Sequence, residues 1–398
     1  MAVENTAETA SLQRSTERIL TTHVGSLPRP DDIVKLMYET QDGRPRDEHF
    51  HEQVRLAVGD VVRRQAELGI DVVDDGEMGK PGFLNYVSTR LEGLSGASDP
   101  WSFRDMDETP ELAAAQYDTE AIEHVKLPRA TDKLRYVGRD DLDRQLADFR
   151  AALDAAGRPT GFVTAPSPGC LSHIISNDFY ATFEEYALAC ADAMRPEYEA
   201  IVEAGFVLQL DSPDLPTMWP EHGRFSASAY VDTVGYERYI DLQLGVMNHA
   251  IQAIDPEAMR LHLCWANYAG PHDHDVPLER VLRPVIERAR PAVISFEAAN
   301  PRHEHEWAVL ADLDVPEDKV LMPGVIDSLD NRVEHPELVA QRLERFASVV
   351  GREQVIAGTD CGFGTFVGFG VVYPSVVWKK LDSLVRGAEI ASERLWPR

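Results

Sequence analysis

Short β-branched and apolar runs punctuate this chain, each followed by a polar loop and then by a stretch whose apolar positions recur with helical period. Eight such runs lie at 19–22, 71–74, 160–164, 207–210, 260–263, 292–296, 320–323 and 355–358. Amphipathic helices are predicted between most of them, at 47–68, 183–203, 231–254, 278–290, 336–349 and 376–394. Repeated βα units of this kind predict an α/β fold, a (β/α)8 TIM barrel of parallel strands with crossover helices. One gap is anomalous, because residues 75–159 separate the second and third strands by far more than an ordinary loop. An insertion is therefore expected there, with a Gly/Ser/Pro-rich loop at 93–100 and helices at 110–125 and 140–156. The expected organisation is a tail over 1–16 and a single barrel domain over 17–398.

A barrel carries its chemistry at the carboxyl ends of its strands, and here those positions are occupied by reactive side chains. His23 follows the first strand, Asp75 and Glu77 the second, and Asp211 the fourth. His262 and Cys264 end the fifth, Glu297 follows the sixth, Asp327 the seventh, and Asp360 and Cys361 the eighth. The i, i+2 spacing of His262 and Cys264 puts both on one face of a strand, where they reach a common ion. With Glu297 and Cys361 they make two thiolates, an imidazole and a carboxylate, a set suited to tetrahedral Zn²⁺, and the two sulfurs argue against Mg²⁺ or Ca²⁺. The bland reading is two small buried cysteines and a satisfied core histidine.

Charge and composition narrow the class of protein. With 39 Lys+Arg against 67 Asp+Glu the net charge is −28, which argues against a nucleic-acid partner. No window approaches eighteen uninterrupted apolar residues, so no membrane span is expected. Residues 1–16 lack the basic start and apolar core of a secretory leader and read as a disordered tail on a cytoplasmic protein. Four cysteines in 398 residues are too few for a disulfide framework, so those that matter act as thiolates. Self-association into a homo-oligomer is left open.

The strings TTHVGSLPRP, VDDGE, LQLD, LHLCW, FEAANPRHEHEW and GTDCGFGT resemble the catalytic domain of cobalamin-independent methionine synthase over about 18–396. Stand-alone relatives of that family include zinc-dependent epoxyalkane:coenzyme M transferases. The resemblance implies zinc on His262, Cys264, Glu297 and Cys361, with Glu297 as the ligand that yields when substrate sulfur arrives. It also implies contacts of Ser26, Glu77 and Asp211 to the amino and carboxyl groups of homocysteine. The implied reaction is zinc-dependent methyl transfer from a 5-methyltetrahydrofolate-type co-substrate to a thiol such as homocysteine, giving methionine. The alternative keeps the zinc and opens an epoxide with coenzyme M. A zinc-free lyase related to barrels that decarboxylate uroporphyrinogen would have no need of His262, Cys264 and Cys361 together. A purely structural zinc site would not normally be assembled from three barrel strands.

Several residues keep two readings. A folate donor's leaving nitrogen must be protonated, and His23, Asp360 and Asp327 are the acid candidates. His23 could equally be structural, and Asp360 an acceptor for a ligating imidazole. Glu77 and Asp211 suit a substrate ammonium, whereas a sulfonate would need a cation such as Lys80, Arg29 or Arg90. A polyglutamate tail would call for a basic patch, for which Lys80, Arg90, Arg104 and Lys126 are available. His272, His274, His303 and His305 read as a hydrogen-bonded rim in preference to a second metal site. Cys170 is a candidate pocket residue and Cys190 a packing one. Trp219, Trp265, Tyr268 and Phe363 either stack on a pterin or serve the core.

Overall fold

The computed structural model describes residues 14–41, 44–117 and 124–397. Eight short parallel strands overlap the eight predicted runs, three of them reaching one or two residues beyond: β1 Leu20–Thr21, β2 Val73–Asp74, β3 Gly161–Pro166, β4 Val207–Ser212, β5 Met259–Leu263, β6 Val293–Phe296, β7 Val320–Pro323 and β8 Ile356–Ala357. Strands β2 to β7 form one six-stranded parallel sheet in chain order, a curled half-barrel, and β1 pairs with β8. Isolated parallel bridges join Leu321 to Val355 and Gly324 to Gly358, beside β7 and β8. At the other edge the amides of Asp71 and Val72 donate to the Thr21 carbonyl.

The strands are apolar on both faces because both are covered. Leu20, Val24, Val293, Val320, Met322 and Ile356 pack into a cluster of their own, while the helices bury a much larger apolar layer outside. Helix Glu48–Leu68 shows how sharply the chain punctuates itself: the Asp47 side chain accepts from the Phe50 amide at its start, and Gly69 ends it with φ 89°. The expected helix over 231–254 is instead two, Ser228–Val234 and Tyr236–Ala250, because Gly235 between them has φ 88°, outside the helical region.

The insertion contains helix Arg139–Ala156, close to expectation, and helix Pro110–Tyr117 within the predicted 110–125; residues 118–123 of that prediction lie outside the described residues. It also contains an antiparallel ribbon that periodicity did not foretell, Leu91–Ser95 against Arg129–Tyr136. One strand of it is kinked at Gly93, φ 92°, and half of the other is charged, so neither carries an apolar alternation. Ser102–Phe103 pairs with Gly223–Arg224, stitching the insertion to the loop after β4 and placing it over the strand ends.

Of the expected tail, residues 1–13 lie outside the described residues. Ser15 is anchored: its buried hydroxyl donates to the Val355 carbonyl at 2.6 Å and accepts from the Leu20 amide at 3.1 Å. Among the described residues no helix is long and apolar enough to cross a membrane.

Candidate metal centre and substrate cavity

A cavity of about 1160 Å³ opens at the carboxyl ends of the strands. Ser26, Glu77, Asp211, His262, Cys264 and Cys361 all line it, so six of the nine predicted site residues share one space. Register explains part of this, since Asp211 on β4 pairs with His262 on β5, and His262 with Ser295 on β6.

The ligand atoms of His262, Cys264 and Cys361 lie within 4.8 Å of one another. Cys264 Sγ is 3.3 Å from Cys361 Sγ, too far for a disulfide, and Cys361 Sγ is 3.6 Å from His262 Nε2. Around a tetrahedral zinc with sulfurs at ~2.3 Å the sulfurs would be roughly 3.8 Å apart, so the spacing fits such an ion with small adjustment. Burial, and then the nearby Arg260 charge, lower the His262 imidazole to about 3, leaving it neutral, the form that ligates. Its Nδ1 faces Ser295 Oγ at 3.2 Å, which turns Nε2 toward the thiols. The Cys361 thiol is pushed well up, first by its hydrogen bond with Cys264, then by burial and by the charges of Cys264, Glu297 and Asp360. Two thiols and a carboxylate are packed closely here, a donor set whose ionised forms a divalent cation would stabilise.

Glu297 stands beside this triad and outside the cavity lining. Its Oε1 accepts from the Trp265 amide at 2.8 Å and from the Cys361 thiol at 3.4 Å, and its Oε2 accepts from Asn300 Nδ2 at 2.9 Å.

Two of the proposed acids lie outside the cavity lining. His23 is buried outside the cavity lining, with Nε2 2.8 Å from Gln65 Oε1 and Nδ1 accepting from the Gly25 amide; burial lowers it to about 4. It braces the turn after β1. Asp360 also lies outside the lining and accepts from the amides of Ala298, Ala299 and Asn300 at 2.8, 2.8 and 2.9 Å. It holds the turn after β6 and bonds no imidazole; Ser295 is the partner of His262. A Cβ at Gly324 would collide with the Asp360 carboxylate and backbone. Gly324→Ala is therefore expected to cost about 1–3 kcal/mol by overpacking, read as a lowered thermal midpoint.

Glu77 and Asp211 both line the cavity, and Glu77 Oε2 lies 3.9 Å from Arg29 Nη2. Glu77, with φ 57°, accepts from Thr164 Oγ1 at 2.6 Å through Oε1, while its buried Oε2 has no hydrogen-bond partner. Asp211 Oδ1 accepts from Gln209 Nε2 at 2.7 Å, and burial, then the Glu77 charge, push its carboxyl up to about 8. Ser26 Oγ accepts from the Gly364 amide at 3.2 Å, which leaves its own proton to give.

The sulfonate-binding candidates point elsewhere. Lys80 Nζ donates to the Thr164 carbonyl and Oγ1 at 2.6 and 2.9 Å and sits over the Tyr86 ring. Arg29 donates to the Gly364 and Glu77 carbonyls, and Arg90 to the Gly138 carbonyl and Gln145. None of these three lines the cavity. Its lining cations are Arg44, paired with Glu39 and Asp47, Arg46, 3.9 Å from Asp141, and Lys126. Of the proposed basic patch only Lys126 lines the cavity, and Arg104 pairs with Glu108.

The histidine-rich strings form a buried hub. Asp275 bonds His222, His272 and His303 at 3.1, 3.1 and 3.2 Å, and His303 Nδ1 reaches Glu306 at 2.7 Å. Burial lowers the two imidazoles, but the bonds to Asp275 and neighbouring acids outweigh it and raise His272 to about 9 and His303 to about 10. His274 pairs with Glu108, and His305 is exposed. His222 was missed in the sequence because only the fold brings its loop to Asp275. Cys170 is buried inside helix Pro168–Ile174 and does not line the cavity, contrary to expectation; Cys190 is packed in the core. Trp265 is fully buried, its indole donating to the Val276 carbonyl. Trp219 and Phe363 also lie off the cavity, whereas Tyr268 lines it, stacked between Phe103 and His272. Walls from Trp101, Phe103, Phe225 and Phe366 escaped the sequence reading, since aromatic residues in loops have no period to betray them.

Residues 19–111 match the family described as cobalamin-independent synthase, catalytic domain. The chain is 22% identical over 378 residues to a methionine synthase of Thermococcus kodakarensis, covering 94% of each. It is 22% identical over 383 residues to one of Sulfurisphaera tokodaii, covering 94% of this chain and 93% of that one. A solved B12-independent methionine synthase from a Shewanella species, in complex with selenomethionine, superposes with TM-score 0.69 at 20% identity, over 95% of this chain and 99% of the other. At that identity the likeness establishes the fold.

Proposed function

From a chain similar to methionine synthases along nearly its whole length, we infer a zinc-dependent enzyme that methylates the sulfur of an amino-acid thiol such as homocysteine, giving methionine. The observation that carries this reading is the shared cavity: two carboxylates, Glu77 and Asp211, line it together with His262, Cys264 and Cys361. Held by these three with Glu297 alongside, zinc would supply a nucleophilic thiolate at neutral pH by lowering the acceptor thiol's pKa from ~8.5.

The protein's own groups do the rest. An ammonium has three donors and no acceptor, and Glu77 Oε2, which accepts no hydrogen bond and lies 3.9 Å from Arg29 Nη2, and the Asp211 carboxylate offer it charged acceptors. Asp211 releases its proton as that cation arrives. Ser26 O–H is left to donate to the substrate carboxylate. Apolar walls from the insertion exclude water, which strengthens each of these contacts. The bond to sulfur forms as the methyl–nitrogen bond of a 5-methyltetrahydrofolate-type donor breaks, and the nitrogen takes up a proton.

The same reading takes 17–398 as a single complete (β/α)8 barrel with its insertion at 75–159. Its support is the pairing of β1 with β8, the bridges beside β7, and the amides of Asp71 and Val72 on Thr21.

Epoxide opening by coenzyme M needs a cation for a sulfonate, and Lys80, Arg29 and Arg90 are turned to other partners. Calorimetric titration of the zinc-loaded protein with homocysteine and, in parallel, coenzyme M tests the choice. Binding of homocysteine alone is expected; binding of coenzyme M alone would overturn the amino-thiol reading.

A further inference from the structure

We propose that Asn300 is a positioning residue that holds the Glu297 carboxylate beside the His262, Cys264 and Cys361 cluster, an inference that rests on the metal reading above. Asn300 Nδ2 donates to Glu297 Oε2 at 2.9 Å and to Asp360 Oδ2 at 3.1 Å, so one amide joins the carboxylate of the fourth candidate ligand to that of the residue preceding Cys361. Asp360 is the fixed end of this link. The amides of Ala298, Ala299 and Asn300 close on it, so the turn after β6 cannot move without giving up three hydrogen bonds. Glu297 is the adjustable end, held among the described residues by the Trp265 amide, the Cys361 thiol and Asn300.

Pulling Oε2 toward Asn300 sets how far the carboxylate stands from the sulfurs. A carboxylate held this way can approach or leave the cluster by lengthening or breaking its bond to Asn300, without unfolding the turn. Partners of this kind behind a ligand govern metal affinity even though they never touch the metal.

Asn300 has a second task that the experiment must separate from the first. Its Oδ1 accepts from the Arg302 and His303 amides at 3.0 and 3.2 Å, bracing the turn that enters the 3-10 helix Glu304–Asp312. Ser and Asp brace such turns as well as Asn does. Asn300→Ser therefore keeps a turn acceptor but is too short to reach Glu297, and Asn300→Asp keeps the acceptor while replacing the donor by a negative charge.

The measurement is cobalt(II) and zinc binding to the full chain, with affinity from chelator competition and geometry from the visible cobalt spectrum. Asn300→Ser is expected to weaken metal binding by about 10-fold or more and to shift the cobalt bands. Asn300→Asp is expected to weaken binding further. In a Glu297→Ala background, Asn300→Ser should move neither readout. Wild-type affinity and spectrum in both Asn300 variants would overturn the inference, and so would an equal shift in the Glu297→Ala background. Failure of the wild-type chain to take up metal would overturn the metal reading, and this inference with it.

Discussion

Cys361→Ser is expected to abolish methyl transfer and to lower zinc affinity by on the order of 100-fold or more, because it removes the sulfur that touches every other member of the cluster. Cys361 Sγ is the common neighbour of Cys264 Sγ, His262 Nε2 and Glu297 Oε1, at 3.3, 3.6 and 3.4 Å. A hydroxyl in its place is a poor zinc ligand at neutral pH and leaves one thiolate with one imidazole. The fold should survive, since serine fits the buried site and three hydrogen bonds from backbone amides still hold the neighbouring Asp360. Metal content by atomic emission after dialysis, methyl transfer, and the thermal midpoint together make the check. A Cys361→Ser protein with full zinc and full activity would remove the cluster from the chemistry.

Asp211→Asn is expected to weaken homocysteine binding while leaving zinc in place. Loss of a hydrogen bond to a charged group costs about 1.5–3 kcal/mol, or roughly 10- to 150-fold in affinity. The pH dependence gives a second signature. Burial and the Glu77 charge push the Asp211 carboxyl up to about 8, so at neutral pH an ammonium must displace its proton. Affinity should therefore rise as pH climbs toward about 8 and level off beyond it, and the Asn variant should lack that component. The sign for stability is the reverse. Between its unfolded value of ~3.9 and about 8 the folded state binds more protons at this site, so its contribution falls as pH rises through that window, and Asp211→Asn should relieve the loss. Calorimetry in buffers of different ionisation enthalpy counts the released proton. Unchanged affinity and proton release in the variant would end the amine-anchor argument.

Position at a strand end does not fix what a side chain bonds. His23 and Asp360 sit at strand ends as plainly as Asp211 does, yet their carboxylate or ring is consumed by Gln65 and by the 298–300 amides. Position along a strand says which end a residue occupies; which partners wait for it depends on another element, the helix bearing Gln65 for His23 and the turn after β6 for Asp360. The hub of His222, His272 and His303 on Asp275 was hidden for the same reason, because its members come from three separate loops.

What could be read without coordinates was periodic or chemical. Strand runs repeat, His262 and Cys264 share a face by the two-residue period of a strand, and sulfur with imidazole selects a soft divalent ion whatever the surroundings. Distances between segments have no such local signature. The 3.3 Å approach of Cys264 to Cys361, the turning of Lys80 and Arg29 away from the cavity, and the stitching of the insertion over the strand ends are decided by packing among residues far apart in the chain. Burial then completes the site, since the same carboxyl that would ionise freely in a loop is held protonated at Asp211 once water is removed from around it.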